Sequence, residues 1–263
     1  MLNILNYKNM KIMIKKIIKL LLPFFIVNFV KNFLNRSYLF LKWDPCINYS
    51  YSQEGEDMVL KRIFDNQKDG FYVDVGAHHP KRFSNTYNFY LKGWKGINID
   101  AMPKSMDLFN KIRPRDINLE FGVGQKEEVM NYYIFNEPAL NSFSKELSET
   151  RDKAHDAYFI KDIIKVEVKP LEKILDINLI NNEIDFLNVD VEGLDLDVLK
   201  SNDWSKYRPK FVLVEILESS LHNLDHDPIF QIMKENNYVI FSKQVNTVFF
   251  KDIFVKDLLS SIK

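Results

Sequence analysis

A single cysteine, Cys46, stands in 263 residues. It rules out an intramolecular disulfide and any zinc site built on cysteines, and a chain so poor in thiols suits the reducing cytoplasm. Acidic residues are missing altogether from residues 1–43, which hold eight Lys or Arg. The remaining 220 residues carry 28 basic and 36 acidic side chains, a net of −8 hidden inside an overall charge of zero. Such a body lacks the clustered Lys and Arg that neutralise phosphates, so nucleic acid is not an expected partner. A long apolar run is also missing. Residues 20–30 are uncharged but lie between Lys19 and Lys31 and are interrupted by Pro23, well short of the ~20 apolar residues of a spanning helix. No small-x-small cleavage site follows them, as it would after a secretory leader. There is no internal repeat and no low-complexity segment.

What is present divides the chain in two. Residues 1–43 mix Lys with apolar residues at helical spacing, as in KIMIKKIIKLLLPFF. This predicts a basic amphipathic helix that either lies against an anionic membrane surface or packs on the domain. The expected location is therefore the cytoplasm, with peripheral contact at the inner face of a membrane if the helix takes the first course. Residues 44–263 form the regular domain, opened by Asp44-Pro45.

In that domain short apolar runs alternate with amphipathic stretches. Ser52 can cap a helix over 54–64, and Ser84 one over 85–94. Strands are expected at 71–75, 96–101, 117–123 and 128–136, with a helix at 104–112. A polar loop and then a helix fill 136–164. A strand at 166–170 and a short helix at 170–176 follow. Strands at 184–191 and 210–216, helices at 194–202 and 229–237, and a hairpin of 238–242 with 246–251 complete the pattern. Strand–helix alternation of this kind indicates an α/β fold with a mostly parallel sheet and helices on both faces.

Ligands in such sheets bind beyond the carboxyl ends of the strands, which directs attention to Asp74 and Gly76, Asp100, Asp190 and Glu192, and Glu215. Gly76 permits close approach of backbone to a ligand. Asp100, 24 residues later, can accept both hydrogen bonds of a ribose diol. The run GAHHPK has one glycine where a dinucleotide fingerprint has three, so a pyrophosphate would lack its cradle, whereas a cofactor without phosphate would not need one. His78 and His79 are adjacent and face opposite sides of an extended chain, unlike the i,i+4 pairs that hold a metal; one of them could instead act as a general base. Asp190, Glu192 and Glu215 offer hard oxygen ligands that could hold Mg²⁺. Asp195 and Asp197 fall in the first turn of a helix, where acids favour the dipole. His222 and His226 lie in the loop after the fifth core strand, on the side where an acceptor could bind.

Four blocks carry a resemblance: YSQEGED (51–57), GFYVDVGAHHPKRFSNTYNFYLKGWKGINIDAMP (70–103), RPRDINLEFGVG (113–124) and IDFLNVDVEGLDLDVLKSNDW (184–204). Long and in order, they resemble the FkbM family of S-adenosylmethionine-dependent methyltransferases across residues 50–216. The resemblance implies a Rossmann-like class I methyltransferase fold, seven strands with the last antiparallel. It also implies S-adenosylmethionine as cofactor and O-methylation of a glycan, sugar or secondary-metabolite hydroxyl. It places Asp74 and Gly76 under the methionine part, Asp100 with its neighbour Ala101 at the ribose, Gln53 at the pocket and Val123 beside the adenine. AHHP departs from the GANIG-like residues of many members.

Methyl transfer to a hydroxyl needs the nucleophile held in line and its proton removed. Candidates for the base are Asp190, His79 and His78; a metal on Asp190, Glu192 and Glu215 would serve by acidifying the hydroxyl. The competing expectations are a nicotinamide-dependent oxidoreductase, which shares Gly76 and Asp100, and a cofactor-binding relative without turnover.

Overall fold

A computed structural model describes residues 46–256, apart from residues 155, 180–182, 218, 219, 221 and 223. The chain divides into two units, Met1–Tyr49 and Ser50–Lys263. The helix expected over residues 1–43 lies outside the described residues; the architecture belongs to the second unit. Among the described residues no helix is long and apolar enough to cross a membrane.

Seven strands form the main sheet in the order β3-β2-β1-β7-β8-β10-β9. They are β1 (Phe71–Val75), β2 (Lys95–Asp100), β3 (Ile117–Glu120), β7 (Phe186–Val189), β8 (Phe211–Glu215), β9 (Tyr238–Gln244) and β10 (Thr247–Asp252). Strands β3, β2, β1, β7 and β8 run parallel, and β10 inserts antiparallel between β8 and β9. The order of connection reverses between β1 and β7, which creates a crevice at their carboxyl ends.

Period-two alternation sorts the strand residues onto two faces. Val73, Val75, Leu187, Val189, Val212 and Val214 point to the face covered by α5 (Leu171–Asn178), α6 (Asp195–Lys200) and α7 (Pro228–Glu235), where Ile174, Leu199 and Met233 pack. Tyr72, Phe186, Phe211 and Leu213 point to the opposite face, with Leu60 and Phe64 of α1 (Glu56–Ile63) and just after it, Phe89 of α2 (Tyr87–Leu91), and Trp94. Both faces are thus apolar, which is why these strands read as continuous runs in sequence. Ser84 Oγ accepts from Tyr87 N, but α2 starts only at Tyr87 with Thr86 at its N-cap, so the expected cap lies two residues too early. The Asp227 carboxylate caps α7 by accepting from Ile229 N, with Pro228 in the first turn. Ser52 Oγ accepts from Asp57 N, although the helix itself starts at Glu56.

Two expectations are corrected. The strand expected over 117–123 breaks after Glu120; Gly122–Val123 leaves the main sheet as β4 and pairs with β6 (Ile160–Lys169). With β5 (Glu128–Phe135) these make a second, three-stranded sheet. The helix expected up to residue 164 ends as α4 (Lys145–Ala154), and its last part is the start of β6. The pairing of β5 with β6 decides this, as Asn131 to Ile134 lie opposite Lys165 to Asp162, a contact between segments about thirty residues apart that local periodicity does not carry. The helix α3 (Ser105–Ile112) follows β2.

Candidate active site

At the carboxyl ends of β1, β2, β7 and β8 lies a cavity of about 800 Å³. Gln53, Asp74, Gly76, His78, His79, Asp100, Ala101, Val123, Asp190, Glu192 and Glu215 all line it, so the fold brings the residues singled out in sequence to one place. His222 and His226 are not among the lining residues.

Gly76 closes β1 at φ 83, and a Cβ on it would fall 1.7 Å from the carbonyl oxygen of Asp190. The glycine thus serves a backbone-to-backbone approach that seats the start of the β7 loop against the end of β1; Asp190 N completes the contact by donating to Val75 O. Four non-glycine residues of the wall, His78, Phe83, Lys104 and Glu192, also have φ between 52 and 66. Each such conformation costs about 1–3 kcal/mol and persists only where surroundings hold it, a pattern concentrated at binding and catalytic sites.

Asp100 is buried and accepts backbone hydrogen bonds on both oxygens, from His78 N and Met102 N at 2.8 Å each. The carboxylate is thereby fixed, and each oxygen keeps a second lone pair for a ligand donor. Phe121 and Val123 continue the wall from β3 into β4. Burial pushes the Asp100 carboxyl up, and the backbone bonds oppose this.

The two histidines differ. His79 Nδ1 accepts from both Lys81 N and Arg82 N, at 3.0 and 2.8 Å, so the neutral ring carries its proton on Nε2. A ring so held is a donor to the cavity and not a base, which corrects the role expected of His79. His78 is lowered to about 4, chiefly by burial, and its buried Nε2 has no partner among the described residues. At neutral pH it is uncharged, and it is a weak base.

The acids Asp190, Glu192 and Glu215 each place a carboxylate oxygen within 4.8 Å of the others. Asp190 touches solvent through the open cavity, but protein atoms crowd its carboxylate. That crowding first, then the charges of Glu215 and Glu192, holds it well above the usual range. Burial pushes Glu215 up to about 8, with the charges of Glu192 and Asp195 adding to it. Glu192 is raised by burial against the pull of Arg151, whose Nη2 lies 2.5 Å from its carboxylate. The three therefore titrate as one set, which retains a proton near neutrality. Ser142 Oγ donates to the Glu192 carbonyl oxygen, and Asp195 accepts from Val191 N and Gly193 N, which pins the loop that presents Glu192.

Sequence reasoning missed Arg151, Asn246, Glu137, Arg82 and Asn85, all of which line the cavity. Arg151 comes from α4 and Asn246 from the β9–β10 turn, elements with no local mark of function. Arg82 reaches Glu137 at 3.0 Å and ties the β1 loop to the segment after β5. For Asn85 a signal existed: it follows Ser84, the expected helix cap, in a loop leaving the first strand.

A doubly wound sheet with one large cavity at its switch point defines an α/β protein that binds a small ligand beyond the carboxyl ends of its strands. The family model of the methyltransferase FkbM domain matches residues 74–240, and the chain belongs to that family. Membership makes it a methyltransferase by family and implies S-adenosylmethionine as the methyl donor. No curated protein matches the chain. Among solved structures, a Pyrococcus horikoshii protein assigned to the RNA methyltransferases shares 9% identity, covering 76% of this chain and 82% of that one at a TM-score of 0.40. The precorrin-6y C5,15-methyltransferase of Geobacter metallireducens GS-15 shares 10%, covering 79% and 93% at a TM-score of 0.39.

Proposed function

We propose that the protein is an S-adenosylmethionine-dependent methyltransferase that O-methylates a hydroxyl of a glycan, sugar or secondary-metabolite acceptor. The observation that carries the reading is the joining, in one cavity, of the Gly76 turn, the fixed Asp100 carboxylate and the acid set at the ends of β7 and β8. The residues fit the cofactor. The volume is within the range of about 300–1,000 Å³ usual for small-molecule sites, and His78 Nε2 is a buried polar atom without a partner among the described residues. Charge supports the same choice. The wall has six acids, Asp74, Asp100, Glu137, Asp190, Glu192 and Glu215, against Arg82, Lys104 and Arg151, and Arg82 and Arg151 are already paired with Glu137 and Glu192. A cationic sulfonium suits that field and a pyrophosphate does not, which separates this reading from a nicotinamide enzyme.

Bound there, S-adenosylmethionine supplies an activated methyl group. The chain holds the acceptor hydroxyl and takes its proton. Base strength follows pKa, so whichever carboxylate of the raised set is left ionised at neutral pH is a stronger proton acceptor than His78. We assign proton removal to that set. The same three oxygens could instead hold Mg²⁺, because three hard ligands within 4.8 Å with one guanidinium between them carry an excess of negative charge that either a proton or a divalent cation offsets.

Calorimetric titration with S-adenosylhomocysteine, against wild type and Asp100→Ala, tests the cofactor reading. Binding by the wild type with no binding of NAD, and a loss of about tenfold or more in the variant (about 1.4 kcal/mol), is expected. Wild-type protein that binds NAD and not S-adenosylhomocysteine sinks it.

A further inference from the structure

Behind the end of β1 a chain of hydrogen bonds runs from the protein interior to the cavity, and its direction is set at the buried end. Asp74 is buried at the floor of the cavity. Its Oδ2 accepts from Thr86 Oγ1 at 2.7 Å and its Oδ1 from Asn188 Nδ2 at 2.9 Å. Asn188 is its register partner on β7. The Thr86 hydroxyl, its one proton committed to Asp74, accepts from Arg113 Nη2 at 2.9 Å. Asn188, having turned its nitrogen to Asp74, presents Oδ1 on the other side, and Asn85 Nδ2 donates to it at 2.9 Å. The polarity of each amide follows from the acceptor-only carboxylate. Asn85 lines the cavity, and no described residue bonds its remaining oxygen.

We propose that Asn85 Oδ1 is the acceptor for a primary ammonium group, the α-ammonium of S-adenosylmethionine or S-adenosylhomocysteine, and that Arg113, acting through Thr86, Asp74 and Asn188, is the positioning residue that keeps this oxygen turned to the ligand. The inference rests on the cofactor reading above and assigns one end of that ligand. A carbonyl oxygen with an anionic carboxylate two bonds behind it favours a cation and disfavours a carboxylate. The orientation depends on charge. With Asp74 protonated, its O–H would donate to Asn188 Oδ1, both amides would turn over, and Asn85 would show the cavity an NH₂ group instead. Burial favours that reversed state, and the Arg113 guanidinium opposes it.

Calorimetry with three ligands tests this: S-adenosylhomocysteine, its deaminated analogue that keeps the carboxylate, and 5′-methylthioadenosine, which has no amino-acid end. Asn85→Leu is expected to weaken S-adenosylhomocysteine at least about tenfold and the other two by less than about twofold. Retained methylthioadenosine binding also shows that the variant is folded. Thr86→Val, which cuts the chain short of Asn85, is expected to lower the same affinity ratio. Equal losses for the ammonium and deaminated ligands, or no loss at all, overturn the assignment of Asn85 while leaving the cofactor reading standing. An unchanged ratio in Thr86→Val overturns the positioning role of Arg113. A wild-type protein that binds none of the three ligands removes this proposal and the cofactor reading together.

Discussion

The absence of a Cβ at Gly76 decides whether the cavity exists. At φ 83 a side chain is strained, and at 1.7 Å from the Asp190 carbonyl oxygen a Cβ cannot be accommodated by rotation, since the obstacle is backbone. Gly76→Ala must therefore move the β7 loop, together with Asp190 and Glu192, away from β1. We expect a destabilisation of about 3 kcal/mol and loss of S-adenosylhomocysteine binding, read by urea unfolding and calorimetry on the same preparation. A variant that keeps wild-type stability would show that the two loops are not packed as described. Hydrogen-bond chemistry is equally decisive at His79. Its residue type admits a base, but two backbone donors on Nδ1 settle its tautomer.

Elements are held in register by one buried ion pair. Arg113, at the end of α3, and Asp116 are both fully buried and lie 2.9 Å apart. Asp116 also accepts from Tyr72 Oη of β1 and from Gly96 N and Asn98 Nδ2 of β2, so a single carboxylate laces together the first two strands and the chain entering the third. Removing one partner leaves the other buried and uncompensated, which costs about 3–5 kcal/mol. Arg113→Met is expected to show a loss of that size in chemical denaturation, and a loss below about 1 kcal/mol would mean that the pair contributes as little as one on the surface. None of this network is visible in sequence, where Arg113 reads as a charged residue after a helix. The strands it joins are visible. Runs such as FYVDV and FLNV are apolar on both faces because helices cover both faces, and Gly70 and Gly76 bracket the first of them. The strand-end acids were legible for the same reason: topology sends ligands to those ends. The second sheet was legible in part: strands are expected at 128–136 and 166–170, but the first half of β6 falls in a stretch expected as helix. Lys161, Asp162 and Ile163 are consecutive and all exposed, so the start of β6 shows no alternation and is fixed as strand only by its pairing with β5, far away in the chain. Arg151 and Asn246 enter the cavity from α4 and from the β9–β10 turn, so their part in the site depends on tertiary placement alone.

The whole molecule carries an acid set that folds at a cost above its natural titration range, and global stability should report it. Folding raises Asp195 from 3.8 to about 6 and Glu215 from 4.5 to about 8, burial being the main cause in each. The folded state thus binds these protons more tightly than the unfolded chain. Their contribution is full below the unfolded values and is lost as pH rises through the folded ones, because the unfolded chain then releases protons that the native state retains. Stability should consequently fall between about pH 5 and pH 8, with a drop in Tm of roughly 5 °C or more. Glu215→Gln keeps the shape and removes the charge, so its Tm should decline less over the same interval and exceed the wild-type value at the alkaline end. A parallel decline in wild type and variant would mean that Glu215 does not hold its proton. The same experiment separates the two occupants of the set. If Mg²⁺ takes the place of the proton, millimolar Mg²⁺ restores the wild-type Tm at the alkaline end and leaves Glu215→Gln unchanged, because the variant lacks one of the three anionic ligands. If Mg²⁺ moves neither, the excess charge is held by the proton, and the carboxylates act on the acceptor hydroxyl directly.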